Sequence, residues 1–234
     1  MPTNFLSLPR ELRNSIYELL LVFEESIRMN NHLTPQKLQD FTPGLLRANK
    51  IIHSEASFIL YAQNRFTLYD SSESFFEKIG RNNASSILYI CIDFPRFDYR
   101  ILHGTTLRDP SSQLLAKIQS DCTNIQTLQT SLETTVEMEH RFAKFDNFNI
   151  GAGALALADA HFRGIASLQD IIVEVYKEGP SALIRKEMES HGWTINTREF
   201  VEELDVENGV FMNVKEYYES LDHHEYQRHD DSGF

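Results

Sequence analysis

At 234 residues, 41% hydrophobic and 11% aromatic, the chain is long and apolar enough to bury a core, which excludes wholesale disorder. Its net charge of −12 excludes a general nucleic-acid binder, which needs Lys and Arg to displace phosphate counterions, and adhesion to an anionic membrane surface. The charge is uneven: residues 199–234 hold 11 acidic and 2 basic residues, whereas 1–65 hold 6 acidic and 7 basic, so the acidity belongs to the C-terminal segment.

In Phe5–Leu20, Pro9 suits the first turn of a helix, Ser7 is placed to cap it, and Glu11 sits where the helix dipole favours negative charge. Leu8, Leu12, Ile16 and Leu20 recur at helical spacing and form one apolar stripe, with Leu19 beside it and Arg10, Arg13, Asn14 and Glu18 facing away. Two uses of that stripe stay open. It could pack onto Leu45, Ile52 and Ile59 of a second helix, the commoner fate of an amphipathic face, or dock on a partner. Residues 22–33 are mixed and suggest a short strand or hairpin around Ser26–Met29, with Asn30 and Asn31 supplying a turn. Pro43 and Gly44 announce a second helix, Leu45 to about Tyr61, and Phe66–Tyr69 reads as a strand after a turn at Asn64.

From residue 72 the pattern changes. Strands are expected at Ile87–Phe94, Leu128–Thr134 and Leu168–Tyr176, with helices near 73–83, 111–121, 152–163 and 181–190 between them. The alternation predicts βα units, a mainly parallel sheet and an α/β fold, with α+β as the alternative. Leu88, Leu128 and Leu168 lie 40 residues apart, which reads either as a degenerate, leucine-rich-repeat-like solenoid or as coincidence in an irregular α/β domain. Trp193–Ile195 is a candidate closing strand and Val214–Leu221 a short helix, with residues 222–234 expected to fray.

The search for chemistry yields no catalytic residue, cofactor or metal site to assign. Cys91 lies in an apolar run and reads as a reduced core thiol, and Cys122 is the only other cysteine. Together with the lack of a secretory h-region or a membrane-length apolar run, this predicts a cytoplasmic or nuclear protein. His223-His224-Glu225 with His229, Asp230 and Asp231 reads as a solvated tail, because adjacent helical histidines diverge by about 100°. Asn149–Gly153 carries a Gly-x-Gly without the third glycine of a dinucleotide loop. The pairs Glu24-Glu25 and Glu202-Glu203 sit in charge-rich stretches, and Asp98, Tyr99, Arg100 and His103 read as a surface loop after the 87–94 strand. An enzyme with an unrecognised site is the least favoured reading.

Leu8-Pro9-x-Glu11-Leu12-x-x-x-Ile16-Tyr17-x-Leu19-Leu20 resembles the start of an F-box. Leu45-Leu46-Arg47-Ala48-Asn49-Lys50, Ser54-Glu55-Ala56 and Leu60-Tyr61-x-x-Asn64-x-Phe66 extend the match, and the combination is similar to a family of F-box-like proteins of filamentous fungi. The resemblance covers residues 5–69. It implies a helical module that docks on a Skp-type linker subunit of a cullin–RING ubiquitin ligase through Leu8, Pro9, Leu12, Ile16 and Leu20, while the rest of the chain recruits an unidentified protein target. The sequence departs from the strict pattern after the first helix, where the Trp-bearing third helix is missing. The expected organisation is an F-box-like helical module at 1–70, an α/β domain at 71–198 and an acidic segment at 199–234. The alternative is a standalone α/β scaffold with the same helices built into its core.

Overall fold

The computed structural model describes residues 4–29, 43–69, 72–100, 104–143, 148–177, 181–199, 204–205 and 210–211. After a short 3-10 turn at Phe5–Ser7 come α1 (Arg10–Leu21), β1 (Ile27–Met29), α2 (Pro43–Ala48), α3 (Lys50–Gln63), β2 (Arg65–Leu68), α4 (Glu73–Ala84) and β3 (Tyr89–Ile92). Next are β4 (Phe97–Arg100), β5 (Gly104–Leu107), α5 (Asp109–Asp121), β6 (Thr127–Thr130), α6 (Leu132–Ala143) and α7 (Phe148–Arg163). The chain continues through β7 (Asp170–Tyr176), α8 (Ala182–Ser190), β8 (Thr194–Arg198), β9 (Leu204–Asp205) and β10 (Val210–Phe211). The expected helix at Val214–Leu221 and the tail at 222–234 lie outside the described residues, as do Asn30 and Asn31.

The protein is α/β. Six strands form one sheet in the order β1-β2-β3-β6-β7-β8, and every neighbouring pair is parallel. The order follows the chain, so each crossover advances in the same direction, and right-handed crossovers of that kind put their helices on one face. Burial follows this geometry. Phe66, Ile90, Leu128 and Ile171 stand abreast in one row, and Leu68, Ile92, Thr130 and Val173 in the next, all buried. The apolar members of both rows share one core with Phe75 and Phe76 of α4, Leu114 and Ile118 of α5, Leu155 and Phe162 of α7, and Ile184 and Met188 of α8. Residues one step along each strand point the other way and, buried Cys91 apart, are polar or partly exposed, because successive strand side chains alternate between faces.

Register corrects the 40-residue spacing. Leu128 stands beside Ile90 and Ile171, not beside Leu88 and Leu168. Equivalent positions Leu68, Ile92, Thr130, Val173 and Ile195 are separated by 24, 38, 43 and 22 residues. The spacing of the three leucines therefore does not mark equivalent sites.

Several local expectations change for identifiable reasons. Ser7 closes the 3-10 turn through its hydroxyl on Asn4 O (2.5 Å) instead of capping α1, which starts after Pro9. The single helix expected from Leu45 to Tyr61 is two, broken at Asn49, whose extended backbone (φ −162°, ψ 152°) lets its side chain accept from Ile51 N and cap α3. The strand expected over Leu128–Thr134 stops at Thr130. Ser131 then opens α6, with Thr134 and Thr135 hydroxyls bonded to Ser131 O, a use of threonine that strand propensity does not foresee. The Ser26–Met29 stretch contains a strand but no hairpin among the described residues, since β1 pairs in parallel with β2. The loop after β3 is an antiparallel hairpin, β4–β5, tied at its base by Arg108 Nε donating to Asp98 Oδ1 (2.9 Å).

The end of α8 shows how a turn delivers a core residue. Gly192 takes φ +78°, its N–H reaches Glu189 O (2.9 Å), and Trp193 N reaches Met188 O (3.2 Å), the paired bonds of a Schellman cap. The reversal inserts Trp193, 3% exposed, between Phe94 and Phe162.

Candidate functional site

The helices of the N-terminal motifs form a smaller core of their own. Tyr17 and Leu21 of α1 pack with Ile52, Ala56, Ile59 and Leu60 of α3. Polar contacts set their register. Arg13 grips Glu55 with two parallel bonds (Nε to Oε2 2.9 Å, Nη2 to Oε1 2.6 Å) and donates a third to Leu8 O (2.6 Å), while Tyr17 OH donates to Glu55 Oε2 (3.2 Å). At the other end, buried Asn64 donates to Leu21 O (2.6 Å) and Leu60 O (2.8 Å) and accepts from Phe23 N (2.8 Å). That one side chain ties the end of α1 and the following loop to the exit of α3.

The charged trio shifts as its geometry demands. Hydrogen bonding from Arg13 holds the Glu55 carboxyl below its ordinary value of 4.5, and the same bond raises Arg13. Burial, then Glu55, raises the Tyr17 phenol above 10.0. A depressed carboxylate contributes stability that is present above its unfolded value and lost as pH falls through the folded one. A raised phenol contributes stability present below its unfolded value and lost as pH rises through the folded one. We expect Glu55→Gln to flatten the loss of stability below pH 4.5, measured by urea melts at stepped pH; a variant with the wild-type acid profile would remove Glu55 from this role.

The expected docking residues sit off this core. Leu12 is 53% exposed and Leu20 43%, Pro9 is exposed, and Leu8 and Ile16 are half-buried. Leu19, beside the stripe, is 84% exposed. The line that holds α1 is Arg13–Tyr17–Leu21, one residue along from Leu12–Ile16–Leu20 and so about 100° round the helix. Arg13, expected to face away, is therefore a packing residue, and Leu12 and Leu20 are not. On α3, Ile51 (52%) and Phe58 (60%) are likewise exposed, and the sequence reading did not single them out. Their signal was present: seven residues apart, they share a helix face offset from Ile52, Ala56 and Ile59.

The sheet face away from the helices is a second surface. Arg65, Tyr89, Thr127 and Asp170 stand abreast, and Arg28, Thr67, Cys91, Gln129, Ile172 and Thr194 form the adjacent row. The Arg65 guanidinium lies 5.9 Å from the Tyr89 ring centroid, Tyr89 OH bonds Gln129 Oε1, and Ser26 and Thr67 share a hydroxyl bond. Glu174 Oε1 accepts from Arg198 Nη2 (2.8 Å) and Nε (3.1 Å) and from Asn196 Nδ2 (3.3 Å).

Burial, aided by Glu174, pushes the Cys91 thiol up to about 12, and burial pushes Cys122 to about 12 as well. Burial thus favours the neutral thiol at both positions near neutrality, against the thiolate that a nucleophilic cysteine uses. We expect both to resist iodoacetamide at pH 8 in the native state and both to react in guanidinium, read by intact mass. Native labelling at Cys91 would contradict its burial within the sheet face.

The remaining candidates do not converge. A cavity of about 20 Å³ lined by Phe94, Arg96, Phe97, Thr134, Glu137 and Met138 has room for a single water. Gly151 and Gly153 lie inside α7 and not at a strand-to-helix turn. Glu24 and Glu25 are exposed, while Glu202, Glu203, His103, His223, His224 and His229 lie outside the described residues. Among the described residues, no group of three His, Cys, Asp or Glu side chains is placed to hold a metal, and no helix is long and apolar enough to cross a membrane. No protein-family model, curated protein or solved structure matches the chain.

Proposed function

We propose that this chain is a protein-interaction adaptor that docks through the outer edge of α1 on a Skp-type linker subunit of a cullin–RING ubiquitin ligase. One observation carries the reading: Leu12, Leu19 and Leu20 stay exposed although α1 is already held by Tyr17, Leu21 and Arg13. Large apolar side chains grouped along one helix edge and left out of the core mark an interaction surface. Leu8, Pro9 and Ile16 complete the proposed docking set, alongside Leu12 and Leu20. The α/β domain then holds the protein target, the mechanism is proximity and not chemistry, and the protein works in the cytoplasm or nucleus.

Titration of the purified chain into a purified Skp-type linker tests this. The expected result is a one-to-one complex with a Kd of about 1 μM or tighter, or about −8 kcal/mol. A folded chain that shows no heat and no co-elution with the linker at tens of micromolar, roughly ten-fold or more above that Kd, overturns the adaptor reading. A second reading, a standalone scaffold with these helices built in, is favoured by β1 and β2, which join the same sheet as the later strands. It predicts no linker binding, so the same titration separates the two.

A further inference from the structure

We draw no further inference here: the strongest candidate, the face of the parallel sheet turned away from the described helices around Tyr89, Cys91 and Ile172, is rimmed by charges of both signs (Arg28, Arg65 and Arg198 against Asp170 and Glu174), and nothing in the structure shows what covers it.

Discussion

Replacing Trp193 with alanine is expected to lower the unfolding free energy by about 3–5 kcal/mol, the range for a large aromatic side chain removed from a packed core. The indole packs 5.6 Å from the Phe162 ring and 6.2 Å from Phe94, and its Nε1–H donates to Asp159 Oδ1 at 2.8 Å. It therefore joins α7, the loop after β3 and the entry to β8 at one point. Small domains are stable by only about 5–15 kcal/mol, so this single change removes a large fraction of the total. Trp193→Phe keeps most of the apolar contact and loses the hydrogen bond, at an expected cost of about 1–2 kcal/mol. Urea melts followed by far-UV circular dichroism read both variants. That probe is needed because Trp193 is the only tryptophan, so the variants lose the fluorescence signal. An alanine variant as stable as the wild type would show that the indole does not anchor the core.

The double variant Leu12→Glu, Leu19→Lys is expected to do the opposite: leave stability nearly unchanged and weaken linker binding by about 100-fold. Leu12 lies in the first turn of α1 and Leu19 in the last, so each new charge has the sign that the helix dipole tolerates at its end. Both side chains are more than half exposed, and substitutions at such sites shift stability by about 0.5 kcal/mol or less. At an interface each anchor is worth about 1–2 kcal/mol or more, so losing two weakens binding by about 100-fold. Paired urea melts and linker titrations measure the two effects. If the variant binds as tightly as the wild type, α1 does not carry the interface; if it unfolds, Leu12 and Leu19 belong to the core after all.

Much of the architecture was legible because it is written in short-range patterns. The strands at 87–94 and 168–176 and the helices near 73–83, 111–121 and 181–190 appear within a few residues of their expected bounds. The parallel α/β class followed from their alternation. Asn64 was readable as a turn, though not as the buried side chain that bonds Leu21, Leu60 and Phe23. What failed were elements whose residues have two local uses. The Thr134-Thr135 pair suits a strand as well as a helix start, and Asp98–Arg100 suits a loop as well as a hairpin strand.

The candidate surface shows the same limit in sharper form. Two lines at spacing four run along α1, Leu12–Ile16–Leu20 and Arg13–Tyr17–Leu21, and hydrophobicity alone prefers the first. The second is buried because Glu55, 42 residues further on, stands where it can take both Arg13 nitrogens and the Tyr17 hydroxyl. Nothing within α1 encodes that partner.

By itself, then, the sequence determined where most helices and strands lie, that their alternation makes a mainly parallel α/β fold, and that α1 carries an apolar stripe. Only the tertiary structure decided that Leu12 and Leu20 of the stripe stay exposed, that Ile27 pairs with Phe66 across 39 residues, and that the described helices gather on one face of the sheet. The physical reason is range: periodicity reports which faces of an element are apolar. Which face is buried, and against what, depends on groups distant in the chain that meet only when the fold closes.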